Sequence, residues 1–463
     1  MSAAGNSPDS LDFTRFFNVI GGNISDTPKE RRTTNPSTLD ANPQAPLSTQ
    51  QDVDRAINMA RNAAPVWAAV PWEERARAIE RFADAIEANA EELSKLIIMQ
   101  QGKPPMWAQH EISLSVQWLR EFCRLSPPGD VIEDTKGRKV STRYTPLGIV
   151  VGIVPWNFSI HLKVAEIASN FFPAGVIQAL SGDDNLGPWL TQHPDVNMVS
   201  FTGSAGVGKR IMESCSKTLK RVTLELGGND AAIVCADVDP TFVASKVGFI
   251  AFANAGQICI AVKRVYVHES VYEGVLSALV AFIKGLKVGI EVDSFLGPLS
   301  TKAQYDHVKG LLEDIKHAGL TIATAGTESP LHLKGYFLDA TIVENPPEDS
   351  RIVVEEQFGP ILPVMKWTDE HDVIQRVNAT EFGLGASIWT RDLAQADRMA
   401  SQLQAGNIWV NCHAEMQPST PFSGHKQSGL GVEMGSDGLK AYCNVQSVYV
   451  TGLTIGGPRD DGS

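Results

Sequence analysis

Cysteine is scarce in this chain: there are 6 in 463 residues, and no two are close in sequence. They stand at positions 123, 215, 235, 259, 412 and 443. No CxxC pair or cysteine–histidine cluster with metal-ligand spacing occurs. A disulfide scaffold is therefore excluded as the organising feature. A reduced, cytoplasmic protein with no bound metal is expected. Basic charge is also in deficit, since 40 Lys and Arg against 53 Asp and Glu leave a net charge of -13. Nucleic acids and anionic membrane surfaces attract basic patches, so neither is expected as a partner. A nucleotide gripped locally by backbone N–H groups stays open. No apolar run approaches the roughly 20 residues that a bilayer span needs. The polar stretch Met1–Ser10 lacks the apolar centre of a secretion signal.

What is present is an ordinary globular mixture, 43% hydrophobic and 20% charged. Its length exceeds one compact core, so two or three domains are expected. Residues 1–50 read as an irregular leader with one short hairpin. Val53, Ile57, Ala60, Ala64 and Trp67 share one helical face, and Ile79, Phe82, Ile86, Leu93 and Ile97 share another. A third helix is read over Ile112–Phe122. After Pro127-Pro128-Gly129 short apolar runs alternate with helical stretches. Strands are read at Gly148–Val154, Val176–Leu180, Val199–Thr202, Val222–Leu226 and Ala232–Cys235. A second set follows at Arg264–His268, Gly335–Val343, Ile361–Trp367, Ala386–Trp389 and Asn407–Val410. Near-continuous apolar strands alternating with helices indicate α/β units with parallel sheets, and two such units place an active site in the cleft between them.

Five segments carry chemistry. Phe201-Thr202-Gly203-Ser204-Ala205-Gly206-Val207-Gly208 ends a strand and opens a helix, so small residues and a helix N-terminus could meet a phosphate; a structural glycine turn fits equally well. Asn254-Ala255-Gly256-Gln257-Ile258-Cys259-Ile260 surrounds one cysteine with small and polar residues. That suits an exposed loop with a reactive thiolate, against the alternative of a buried inert cysteine. Glu225 closes an apolar strand, where partial desolvation would raise its pKa and suit a general base; pairing with a nearby cation is the alternative. Val154-Pro155-Trp156-Asn157-Phe158 ends a buried strand with an amide donor. Glu356-Gln357-Phe358 puts a carboxylate, able to accept from two ribose hydroxyls, beside a ring that could lean on a flat heterocycle.

Pro155-Trp156-Asn157-Phe158, Phe201-Thr202-Gly203-Ser204, Leu224-Glu225-Leu226-Gly227-Gly228, Gly256-Gln257-Ile258-Cys259, Glu356-Gln357-Phe358-Gly359-Pro360 and Pro421-Phe422-Ser423-Gly424 resemble, in order, the motifs of NAD(P)-dependent aldehyde dehydrogenases of fungal type. The match runs from about Thr34 to Val450, and Glu225 and Cys259 lie 34 residues apart, as in that family. The resemblance implies an α/β fold with a Rossmann-type cofactor domain (1–126 and 146–227), an α/β catalytic domain (228–428) and a small oligomerisation β-flap (127–145 and 441–455). It implies that Cys259 attacks an aldehyde, that Asn157 and the Cys259 N–H hold the oxyanion, and that Glu225 activates the hydrolytic water. Pro155, Trp156, Gly203, Ser204, Ala205, Gly206, Val207, Gly208, Leu226, Gly227, Glu356 and Phe358 would bind NAD, with NADP not excluded. The partners implied are a small-molecule aldehyde, apolar from the flanking Ile258 and Ile260, and further copies of the chain in a homodimer or homotetramer.

The resemblance breaks after Phe158. Only 17 residues, Ser159 to Gly175, join it to Val176, where the family has roughly thirty more, forming a helix, a strand and another helix rather than one crossover helix. A strand of the cofactor sheet, the lysine-containing turn that holds the adenosine ribose and most of a helix lining the substrate tunnel are therefore expected to be missing. Two readings compete with an active dehydrogenase: a relic that keeps fold and interface, and a cofactor-independent thiol hydrolase.

Overall fold

The computed structural model describes residues 11–135, 137–158, 161–324 and 333–451. Three sheets organise them. The largest has seven strands in the order Thr321–Ile322, Thr341–Glu344, Ile361–Trp367, Arg264–His268, Ala231–Val234, Gly385–Trp389, Asn407–Val410. All its pairings are parallel except the first. Its central strands are buried on both faces, which is why they read as unbroken apolar runs.

The second sheet has four strands: Gly429–Leu430, Arg221–Glu225, Met198–Thr202 and Val150–Ile153. The last three run parallel, and Gly429–Leu430 pairs antiparallel with Leu224 and Glu225. The third sheet is an antiparallel flap of Val131–Asp134, Arg138–Pro146 and Cys443–Thr451. Residue 136 of the flap region, and 452–455 beyond its last strand, lie outside the described residues.

Four readings of local structure need correction. Val176–Leu180 is not a sheet strand. Gly175, at φ +92°, comes so close to the helix Gln50–Ala68 that a β-carbon would meet the Met59 carbonyl. The segment then spends its backbone on Val19, through Val19 N to Ala179 O (2.8 Å) and Ala179 N to Val19 O (3.0 Å). The Gln178 amide reaches Ala56 O at 2.8 Å, and its oxygen accepts from Gly21 N at 2.9 Å. Val150–Ile153 is therefore the outer strand of the four-stranded sheet among the described residues, with Val150 exposed.

The second helical face is split between Trp72–Ala88 and Ala90–Gln101, because Asn89 leaves helical geometry and turns its amide onto Ala85 O. The third helix starts at Pro105, where the missing N–H costs nothing, rather than at Ile112. Gly335 has φ +127°, and only Thr341–Glu344 of that run is extended. The leader does form a hairpin, Asn18–Ile20 with Asn23–Ser25, and adds a short Glu30–Arg31 to Ala45–Pro46 ladder. The crossover helix spans His161–Ala168; Ser159 and Ile160 lie outside the described residues.

Candidate active site

Cys259 sits on a turn that the sequence forces into an unusual path. Asn254 and Ala255 adopt left-handed conformations (φ 51° and 55°), followed by Gly256 at 75°. A β-carbon at Gly256 would stand 2.3 Å from the Gly359 carbonyl oxygen, so only glycine fits there. The turn is thus pressed against Glu356-Gln357-Phe358-Gly359. The Gln257 side chain holds it from beneath, donating to Asn254 O at 3.0 Å and accepting from Ser300 N at 2.8 Å. The segment is not the exposed loop expected from its small residues: Asn254 to Gln257 are buried and Cys259 is half-buried.

Burial and the neighbouring Glu225 carboxylate push the Cys259 thiol well above its ordinary pKa, while Lys263 pulls it back down. Glu225 ends the strand Arg221–Glu225, with its carboxylate hydrogen-bonded to the Cys259 thiol and the Thr202 hydroxyl. Burial raises it to about 7, with the Cys259 hydrogen bond acting against that shift and Glu356 adding to it. Its Oε1 is buried without a hydrogen-bond partner among the described residues. The pairing with a cation expected as the alternative belongs to Glu356, not to Glu225: Lys263 Nζ lies 3.3 Å from Glu356 Oε1.

Asn157 is buried, and its amide donates to Gln257 O at 3.1 Å, two residues ahead of Cys259. Asn254 donates to the same carbonyl at 3.1 Å. Asn157, Glu225 and Cys259 therefore converge from three elements distant in sequence. Pro155 and Trp156 lead into Asn157, and the exposed Trp156 ring meets Phe358 edge-on at 5.5 Å. Phe358 holds φ 46°, a strained position for an aromatic residue.

Gly203 closes the strand Met198–Thr202 with its N–H on Glu225 O at 3.0 Å. Ser204 begins the helix Ala205–Ser216, and Ala205, Gly206, Val207 and Gly208 form its first turn. Space lies open over Gly206, while a β-carbon at Gly208 would press on Leu226. Gly227 leaves room for Glu356, whose Oε2 would stand 2.3 Å from a β-carbon there, and Gly228 N donates to Glu356 Oε1 at 3.1 Å. Leu226 is buried, with its N–H on Ser428 O at 2.9 Å.

Ile260 belongs to a buried apolar cluster against which Cys259 packs. Ile260 is 2% exposed and packs with Leu384, Trp409 and Phe422, while the half-buried Ile258, Cys412, Ala414, Met416 and Met434 lie around that cluster. Sequence reading missed Lys263 and Thr202. The signal for Lys263 was a lysine four residues after Cys259, closing an apolar run just ahead of a buried strand. Among the described residues no group of three His, Cys, Asp or Glu side chains is placed to hold a metal, and no helix is long and apolar enough to cross a membrane.

This arrangement has counterparts. The aldehyde dehydrogenase family model matches the chain in two stretches, residues 24–171 and 159–448. Aldehyde dehydrogenase LUC3 from a Fusarium species is 35% identical over 463 residues, covering 95% of this chain and all of that protein. Phenylacetaldehyde dehydrogenase of Pseudomonas fluorescens is 33% identical, over 90% of this chain and 91% of its own length. The NAD+ complex of an aldehyde dehydrogenase from Bacillus cereus superposes with a TM-score of 0.89 at 33% identity, covering 95% of this chain and 97% of that one. The chain belongs to the aldehyde dehydrogenase family, an NAD(P)-dependent class of enzymes that oxidise aldehydes.

Proposed function

We propose that the chain oxidises an apolar aldehyde to its carboxylic acid through a covalent intermediate on Cys259, with Glu225 as general base. The observation that carries this is the convergence of the Cys259 thiol, the Glu225 carboxylate and the Asn157 amide from three elements on one buried turn. Glu225, at about 7, is poised to take the thiol proton near neutrality. The Cys259 sulfur then bonds to the aldehyde carbon, and the oxyanion formed is stabilised by the Asn157 amide and the Cys259 backbone N–H. NAD(P)+, when bound, would supply the hydride acceptor. Once hydride has left the carbon, Cys259 carries a thioester. Glu225, having passed the thiol proton to solvent, deprotonates a water that attacks the thioester; the carbon–sulfur bond breaks, the acid leaves, and the proton taken from water returns to the Cys259 sulfur.

The residues fit the nicotinamide and pyrophosphate parts of such a cofactor. Glu356 would hold a ribose, Trp156 and Phe358 would flank the flat ring, and Gly203 to Gly208 would admit the pyrophosphate at a helix start, beside Leu226 and Gly227. NAD is the form we propose. The apolar cluster of Ile258, Ala414, Met416 and Phe422 beside Cys259 supports an apolar substrate, and the activity named for the Pseudomonas fluorescens relative supports an aromatic one.

The bounds 1–126 with 146–227 for the cofactor unit and 228–428 for the catalytic unit remain our proposal, as does the role of 127–145 and 441–455 in joining copies. Exposed Val445, Tyr449 and Val450 on the outer flap strand support a homodimer or homotetramer. Six free cysteines support a reducing, cytoplasmic setting.

Two observations favour a weaker enzyme or an inactive relic. The family match is split across residues 159–171, and the outer strand Val150–Ile153 has an open edge among the described residues. Both support a missing segment that would include the adenosine-ribose turn. Each lost ribose hydrogen bond would weaken cofactor binding by roughly ten- to a hundredfold. The deciding experiment is NAD(P)H formation by the purified chain over aliphatic and aromatic aldehydes, with Cys259→Ala as control. Turnover abolished in the control is expected. A folded chain without turnover would leave the relic.

A further inference from the structure

Lys263 is buried to 3% exposure, yet it is neither on the strand that follows nor in contact with solvent. An ammonium carries three donors, and here each has a target. Lys263 Nζ donates to Ile258 O at 2.9 Å and to Cys259 O, and it lies 3.3 Å from Glu356 Oε1. It also stands 5.9 Å from the centre of the Phe358 ring. Two of its partners belong to the turn of the nucleophile, and the third is the carboxylate beside the proposed cofactor ring.

The charges around it explain why this matters. Glu225, Asp230 and Glu356 are all pulled down by the Lys263 charge against burial that raises them. A Cys259 thiolate would be a further negative charge among three carboxylates. The adjacent Arg264 is spent elsewhere, on Asn229 O, Val377 O and the Tyr266 hydroxyl. His413 is held neutral by burial, its pKa lowered to about 3, and is engaged with Ile260 O and Ser387. His307 hydrogen-bonds the Glu356 carbonyl at 3.3 Å, and its charge adds a smaller pull than Lys263 on the Glu356 carboxylate.

We propose that Lys263 is a positioning residue: its ammonium clamps the Cys259 turn to the Glu356 carboxylate and supplies the fixed cation that a Cys259 thiolate requires. The proposal rests on Cys259 being the nucleophile. It adds that thiolate formation is set by a lysine–carboxylate pair beneath the turn. The pair has a sign that can be tested. Removing the cation disfavours the thiolate. Removing the carboxylate leaves the cation undivided and favours it.

The test is the pH profile of iodoacetamide alkylation at Cys259, read by peptide mass spectrometry on the full chain between about pH 6 and pH 10. Lys263→Met is expected to raise the midpoint and slow alkylation at pH 8 by about tenfold, the equivalent of one pKa unit. Lys263→Arg is expected to recover most of that rate, and Glu356→Gln to lower the midpoint. If Lys263→Met does not fold, as judged by circular dichroism and gel filtration, the Arg and Gln variants still decide. Shifts of the same sign for Lys263→Met and Glu356→Gln, or unchanged profiles, overturn the proposal while Cys259 stands as nucleophile. A native Cys259 that reacts no faster than Cys412 overturns the nucleophile itself, and the clamp with it.

Discussion

Gly256 and Gly359 pass so close that a single β-carbon at 256 would stand 2.3 Å from the Gly359 carbonyl oxygen. This contact fixes where the Cys259 turn lies on the Glu356-Gln357-Phe358 segment, and it leaves no room for adjustment because both partners are backbone. Gly256→Ala must therefore displace one of the two chains. The positive φ alone costs about 1–2 kcal/mol, and the displacement adds to it. A lower thermal midpoint together with loss of selective Cys259 alkylation is expected. Selective alkylation at the native rate would show that the turn can re-form without the contact.

Glu225 provides a pH dependence with a definite sign. Burial is the main cause that moves its pKa from 4.5 to about 7. As a base it works only when ionised, so hydrolysis of an acyl–Cys259 intermediate should rise with pH through about 7 and then level off. Turnover of p-nitrophenyl acetate after the initial burst measures this, and Glu225→Gln should remove the rise. The stability effect runs the other way. Between about 4.5 and 7 the folded chain binds a proton that the unfolded chain has lost, so the Glu225 contribution destabilises progressively as pH rises through that window.

Lys103 and Glu111 form an ion pair of 2.5 Å with side chains only 2% and 10% exposed, and the Lys103 ammonium also lies 3.8 Å over the Phe158 ring. Lys103→Met leaves a buried carboxylate unpaired and should cost about 3–5 kcal/mol, whereas Lys103→Met with Glu111→Leu should regain most of it. Urea denaturation midpoints check both. A single variant as stable as the native chain would mean that water reaches Glu111.

The outer flap strand Cys443–Thr451 pairs on one side only among the described residues and exposes Val445 and Tyr449 on one face. Val445→Asp with Tyr449→Asp should lower the mass in light scattering to that of one chain while Cys259 alkylation is unchanged. An unchanged oligomer would place the interface elsewhere.

How far the sequence went can be followed residue by residue. The parallel strands of the large sheet were legible because both their faces are buried, so they read as apolar runs such as Ala231–Val234. Val176–Leu180 has the same apolar look, yet its fate depends on Gly175 meeting Met59 and on Val19 accepting its backbone, contacts more than a hundred residues apart. Composition cannot encode that. Asn157, Glu225 and Cys259 were found through motifs, whereas the burial of the cysteine turn was misread because small residues suit an exposed loop and a tight backbone contact alike. Lys263 was passed over since a lysine in a loop is normally solvated, and only the three-dimensional placement of Glu356 explains it.

Ser428 ties the strand of Glu225 to the rest of the molecule. Its hydroxyl donates to Gly227 O at 2.6 Å across 201 residues and accepts from Gly383 N at 2.9 Å, and its carbonyl accepts from Leu226 N. The proposed base is therefore set in place by a stretch 201 residues further along the chain. Contacts of such long sequence separation form late, because the intervening loop must close first. After dilution from denaturant, recovery of a reactive Cys259 should lag behind recovery of helical circular dichroism. On the ribosome, the order of synthesis alone keeps the proposed site incomplete until Ser428, made 201 residues after Gly227, has emerged.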